Sequence, residues 1–184
     1  MIFLGIIVLL IVIIAFILIG IYNKLVKEKN FVEEAFSTID AYLKKRYDLI
    51  PNLVATVKGY KDYEGETLEK VIAARNKYMS CTNMNDKIEN ENMIAGTLGK
   101  LFALQESYPD LKANTNFLSL QGEITKIEED ILQARKYYNG SVRNYNTYCE
   151  TFPNVFIANM FGFKKYPFFN IEESKEKENV KISF

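Results

Sequence analysis

Residues 1–21 contain neither a charge nor a proline. As a helix rising about 1.5 Å per residue they would span roughly 32 Å, matched to a hydrocarbon core of about 30 Å. A cleaved signal peptide would place basic residues before a shorter apolar run and a small-x-small site after it. Here the lysines follow the run, and Ile21, Tyr22 and Asn23 are poor cleavage neighbours. Residues 1–22 are therefore expected to be an uncleaved transmembrane anchor seated in the lipid bilayer.

Beyond the anchor the apolar positions recur every three or four residues, the period of helices with one buried face. Val32, Phe36, Ile39 and Leu43 mark a first segment over about 22–47, continuous with the span. Pro51 is expected to end or bend it, because proline restricts the residue before it and suits the first turn of a new helix. A second helix over 51–80 would bury Leu53, Val57, Tyr60, Val71, Ala74 and Tyr78, with Gly59 and Gly65 weakening it. Ile88, Ala95, Leu98 and Phe102 mark a third, closing near Ser107 and stopped by Tyr108-Pro109-Asp110.

The fourth helix begins after a cap at Asn114 or Asn116. Phe117, Leu120, Ile124, Ile127, Ile131 and Ala134 alternate three and four. Tyr138, Val142, Tyr145, Cys149 and Phe152 continue after one extra step of four, a coiled-coil-like seam with a single stutter. The expected fold class is all-α: an N-terminal transmembrane helix followed by an up-and-down antiparallel four-helix bundle. The domains would be the anchor 1–22, the bundle 23–152 and an aromatic, then charged, C-terminal segment 153–184.

Composition narrows the chemistry. Lysine plus arginine equals aspartate plus glutamate, 23 each, so the chain lacks the basic field that nucleic-acid binding uses. It has no histidine, which removes the usual general base, the commonest metal ligand and the Ser-His and Cys-His pairings. Phosphate loops, serine elbows and kinase signatures are missing as well. No catalytic, cofactor or metal residues are expected. Lys24, Lys27 and Lys29 follow the span while no charged side chain precedes it, which places the N-terminus outside and the helical domain in the cytoplasm. Cys81 and Cys149 form no C-x-x-C and suit a reducing compartment as free thiols; with the domain outside they could instead be a disulfide.

Four blocks in order carry a family resemblance. They are Ile39-Asp40 with Leu43-Lys44-Lys45-Arg46-Tyr47-Asp48-Leu49-Ile50-Pro51-Asn52-Leu53, then Val57-Lys58-Gly59-Tyr60. Ser107-Tyr108-Pro109-Asp110-Leu111-Lys112-Ala113-Asn114 and Ala134-Arg135-Lys136-Tyr137-Tyr138-Asn139 follow. Together they resemble the signature of the LemA family over about residues 22–169. The resemblance implies a single-pass bacterial inner-membrane protein with a cytoplasmic four-helix domain and no established enzymatic activity. Genes of such proteins often lie near membrane-protease components, which makes those components the partner class it implies. Members usually carry a histidine before the glutamate of the second helix; here Tyr63 precedes Glu64, which argues for packing or an interface there rather than chemistry.

The remaining constellations have plain readings. Glu123, Glu128, Glu129 and Asp130 lack the histidines of a di-metal bundle and read as helix-surface carboxylates. Arg75 and Arg135 share Ala-Arg-x-x-Tyr, readable as an anion site or, more plainly, as ion-paired flanks. Two surfaces stay open. If the bundle is up-and-down, the turns at 47–52 and 108–114 meet at the end far from the membrane. Arg46, Asp48, Asn52, Tyr108, Asp110, Lys112 and Asn114 would there offer a partner surface, or only caps, turns and ion pairs. As an exposed pair, Arg46 and Lys112 could be replaced together with little loss of stability. The chain returning to the bilayer brings Phe161, Phe163, Lys164, Lys165, Tyr166, Phe168 and Phe169, which suit the lipid interface or plug the open end of the bundle. The function classes in play are a membrane-anchored interaction or scaffold module, a lipid-binding or membrane-organising protein, and remotely an unrecognised enzyme.

Overall fold

The computed structural model describes residues 1–59, 65–103 and 108–169. Tyr60, Tyr63, Glu64, Ser107, the side chain of Ala95 and the tail 170–184 lie outside the described residues. In chain order the helices are α1 (Ile2–Lys58), α2 (Gly65–Ser80), α3 (Met84–Ala103), α4 (Pro109–Lys112), α5 (Thr115–Glu150) and α6 (Asn154–Met160), with no strand among the described residues. Two compact units divide the described residues: Met1–Ala41 with Asp130–Phe168, and those of 42–129 with Phe169. The long helices α1 and α5 each contribute to both.

In the first unit, residues 1–20 of α1 are exposed all round, and their most apolar stretch has a mean hydropathy of 3.7 with none of it buried by protein. This one helix is long and apolar enough to cross a membrane. The character of α1 changes at Ile21. From there Leu25, Val32, Ala35 and Ile39 are buried, as are Ile131, Ala134, Tyr138, Val142, Tyr145 and Cys149 on α5. The ring centroids of Phe36 and Tyr138 lie 5.8 Å apart. Each leucine, isoleucine or valine side chain so covered contributes about 1.5–3 kcal/mol.

α5 stops at Glu150, and Phe152, expected on its buried seam, instead faces out. α6 follows and ends in a left-handed glycine: Gly162 has φ 71°, its N–H bonds the Asn159 carbonyl, and the Phe163 N–H reaches back to the Ala158 carbonyl at 2.9 Å. This paired closure needs a positive φ that only glycine adopts without strain. Residues 163–168 then run along α5, held by its half-hidden polar groups. Tyr138 Oη donates to the Pro167 carbonyl at 2.8 Å and Tyr145 Oη to that of Lys164 at 3.1 Å. Asn146 donates to the Tyr166 carbonyl and accepts its N–H, each at 3.0 Å. A buried asparagine is tolerated when its donor and acceptor are both used, as here.

In the second unit, Leu43, Ile50, Leu53, Val54 and Val57 of α1 are buried. So are Leu68, Val71, Ala74 and Tyr78 of α2, Ile88, Leu98 and Leu101 of α3, Leu111 of α4, and Phe117, Ile124 and Ile127 of α5. α5 is capped as expected by Asn114, whose Oδ1 accepts the Phe117 N–H at 3.0 Å. Pro109 opens α4 at its first turn.

The expected break at Pro51 does not occur: α1 runs through it to Lys58, and the next described helix begins at Gly65. A proline inside a helix withholds the N–H owed to the carbonyl four residues back, here that of Tyr47. Arg75 supplies the missing donor from α2, its Nε lying 3.0 Å from the Tyr47 oxygen. Arg75 thus has a structural part in the fold beyond the ion-paired flank expected of it. Replacing it, Arg75→Met, is expected to lower stability by about 1.5–3 kcal/mol, the worth of one charge-assisted hydrogen bond. With Pro51→Ala, position 51 regains its own N–H, and the same replacement should then cost clearly less in urea unfolding; equal costs in both backgrounds would refute the compensation.

Candidate functional site

The densest polar constellation among the described residues lies in the second unit and is largely buried, only Glu128 being partly exposed. Arg46 is 0% exposed. Its Nη2 donates to Glu91 Oε2 of α3 at 2.6 Å and its Nη1 to Glu128 Oε1 of α5 at 2.7 Å. Tyr47 Oη donates to the same Glu91 oxygen at 2.5 Å and accepts from Arg46 Nη2 at 3.1 Å. The Tyr47 ring lies 4.4 Å from that of Tyr78. Burial alone would lower the Arg46 pKa, but the charges of Glu91, Tyr47 and Glu128 outweigh it, so the guanidinium is held charged above its ordinary range. Burial pushes the Tyr47 hydroxyl strongly upward, and the Glu91 charge adds to the shift.

This geometry corrects the expected partner surface. Arg46 offers nothing to an outside molecule, and replacing it would strand a buried carboxylate rather than trim an exposed pair. The stretch 47–52 lies inside α1, so it is not a turn that could face the one at 108–114. Asp48, Asn52, Asp110 and Lys112 are exposed, Tyr108 and Asn114 half-buried, and Asn114 is occupied as a helix cap. Of the acidic group on α5, Glu123, Glu129 and Asp130 are exposed while Glu128 is drawn in by Arg46. Sequence reasoning missed Glu91 altogether. Its signal was available: Glu91 stands three residues after Ile88 and seven before Leu98, on the apolar stripe of α3.

A second constellation lies wholly in the first unit, where the span gives way to the body of α1. The Tyr22 ring packs edge-on against Phe161 at 4.9 Å and Phe163 at 5.8 Å. Beside them is an open groove of about 500 Å3, lined among others by Val26, Lys29, Tyr145 and Lys164. Tyr166 is half-buried, its hydroxyl donating to Glu33 Oε1 at 2.8 Å. Lys165 pairs with Glu150, and Lys24 sits over the Tyr148 ring at 4.6 Å. Of the expected membrane contacts, Phe161, Lys164, Lys165 and Phe168 are exposed, while Phe163 is half-buried. Phe169 is buried, so it is unavailable to lipid. Cys81 and Cys149 are both free thiols, and burial pushes that of Cys149 up.

An all-helical chain with one apolar span and no exposed catalytic constellation among its described residues is that of a membrane-associated helical protein. The family model of the LemA family matches residues 35–184, and the chain belongs to that family. It is 28% identical over 159 residues to Protein LemA of Metamycoplasma hominis, covering 86% of this chain and 73% of that one. It is also similar to Magnetosome protein MamQ of Magnetospirillum gryphiswaldense, 27% identical over 73 residues, which is 40% of this chain and 27% of the relative. Magnetosome protein MamQ 2 of Paramagnetospirillum magneticum is 28% identical over 39% of this chain and 26% of its own length. The chain thus spans about a quarter of the magnetosome relatives it matches.

The shifted tyrosines set a pH dependence. Tyr47 in the second unit, and Tyr138, Tyr145 and Tyr166 in the first, all hold their protons above the ordinary value of 10.0, burial being the main cause. Between that value and the folded one, the unfolded chain has released protons that the folded chain keeps. Stability is therefore full below about pH 10 and falls as pH rises beyond it. Melting followed by circular dichroism should show this fall. Tyr47→Phe should lower the midpoint at neutral pH yet flatten the alkaline slope; an unchanged slope would contradict the assignment.

Proposed function

We propose that this chain is a membrane-anchored, non-enzymatic helical interaction or scaffold module on the cytoplasmic face of a bacterial inner membrane. In this reading residues 1–22 are the single-pass anchor with the N-terminus outside, and 23–152 form an antiparallel, up-and-down four-helix bundle with a coiled-coil-like seam on α5. Residues 153–184 are a separate aromatic and then charged segment. The observation that carries the reading is α1 itself. A run of exposed apolar residues that only lipid can cover continues without a break into the helix that builds the core of the first unit. The buried Arg46 cluster supports it from the other side: Arg46, Tyr47 and Glu91 bond to one another away from solvent, with Glu128 alone of the four partly exposed.

The exposed Asp48, Asn52, Asp110 and Lys112, with half-buried Tyr108 and Asn114, remain the polar surface offered to a protein partner, membrane-protease components being the class the family suggests. A second reading, a protein that binds or organises the membrane surface, is favoured by the rings gathered beside Tyr22 and fits the magnetosome proteins among the relatives.

The test uses Lys112→Cys in a chain carrying Cys81→Ser and Cys149→Ala. An impermeant thiol reagent should label it only after the inner membrane is opened, because the lysines after the span favour the cytoplasmic side. A thiol-directed crosslinker in native membranes should give a defined protein adduct at that position. Labelling in intact cells would overturn the topology, and lipid adducts alone would favour the second reading.

A further inference from the structure

Large apolar side chains left open to solvent in the first unit, beyond the span, gather at α6. Phe152, Phe156, Met160 and Phe161 are 76%, 62%, 73% and 58% exposed. Phe156 and Met160 stand four apart on α6, which on a helix is one face, while Phe152 lies just before the helix and Phe161 just after it. The opposite face is filled: Asn154, Ile157 and Ala158 are buried, and the Asn154 amide donates to the Tyr148 carbonyl at 3.1 Å. The Phe152 and Phe156 rings meet edge to face at 5.9 Å, stacked on each other rather than on the protein body. Phe31, Leu132 and Tyr137, also exposed, lie along α1 and α5, and Phe168 lies on the segment after α6.

The position of this patch indicates what covers it. Phe161 packs on Tyr22, and Tyr22 immediately follows the uncharged run. The end of α6 therefore sits at the level where the span leaves hydrocarbon. Lys24, Lys27 and Lys29 follow on α1, and Lys164 and Lys165 follow α6. Rings at that level, with lysines beyond them, have the chemistry of the headgroup and upper acyl boundary of a bilayer. We infer that the outer face of α6, with Phe156 and Met160, and the flanking rings of Phe152 and Phe161 are seated in the lipid interface beside the span, giving the protein a second membrane contact. The occupant is the bilayer itself, and the inference rests on the membrane-anchor reading above. It extends the expected contact, of which Phe161 is already a member, to Phe156 and Met160 of α6 and to Phe152, which the sequence pattern puts on the buried seam.

The chain contains no tryptophan, so one introduced tryptophan reports a single place. Full-length protein is reconstituted in bilayers, with or without lipids brominated near the top of the acyl chains, carrying Phe156→Trp, Leu10→Trp or Tyr137→Trp in turn. Position 137 lies thirteen residues before the end of α5, about 20 Å along the helix at 1.5 Å per residue. Emission from position 156 should be blue-shifted and quenched by the shallow brominated lipid, while that from position 137 is neither. Emission from position 10 should be quenched by lipid brominated deep in the chains, which checks the anchor. If position 10 behaves so and position 156 stays unquenched, the inference is overturned and the anchor stands. A blue shift at 156 without quenching would mean a protein or a second copy covers the patch, which also overturns it. Failure to quench position 10 would overturn the anchor reading and, with it, this one.

Discussion

A guanidinium cannot be carried out of water alone: the cost of desolvating a full charge is several kcal/mol unless partners arrive with it. Arg46 is carried in on α1, and its partners come from α3 and α5. The second unit can close only with these three helices in one register, because a slip of one residue would turn a carboxylate away and leave a charge stranded. Tyr47 adds a neutral donor to the same Glu91 oxygen, so that carboxylate oxygen is used twice. The cluster resembles an active site in its residue types and behaves as a lock in its geometry. Only Glu128, with 39% of its side chain exposed, reaches solvent from it.

The same stretch of α1 explains why a proline can sit in the middle of a 57-residue helix. Pro51 leaves the Tyr47 carbonyl without its helical donor, and Arg75 of α2 fills the vacancy. Arg46 and Tyr47 side chains are tied to α3 and α5 while the Tyr47 backbone is tied to α2. Two adjacent residues thus tether three other helices. The first unit uses a different device. Its polar tethers, Tyr138, Tyr145 and Asn146, reach backbone groups of 164–167 and hold the chain after α6 in place. The outer face of α6 is left exposed among the described residues.

Much of this was legible before the structure. The uncharged run, the steps of three and four along α5, and the cap at Asn114 follow from local periodicity and local chemistry, and the helices form where those signals lie. The boundary at Pro51 was misread because proline's effect on a helix is local, while its remedy, Arg75, lies 28 residues from the carbonyl it serves. The charge of Arg46 points to the surface. Its register said otherwise: Ile39, Leu43, Arg46, Ile50 and Leu53 follow steps of four, three, four and three. Glu91 occupies the matching stripe position of α3. A cation and an anion each standing on an apolar stripe is a sequence signal for a buried pair, although nothing in the spacing alone says that the two meet.

The central claim is that Arg46 and Glu91 build the second unit rather than serve a ligand, and it is tested by unfolding the full-length protein in detergent with Arg46→Met alone and together with Glu91→Leu. Stranding the buried carboxylate should cost about 3–5 kcal/mol, and removing both charges should restore most of that loss, because well-packed apolar residues replace a buried pair at little net cost. A single replacement costing under about 1 kcal/mol, the worth of an exposed pair, would contradict the account and return Arg46 to the surface.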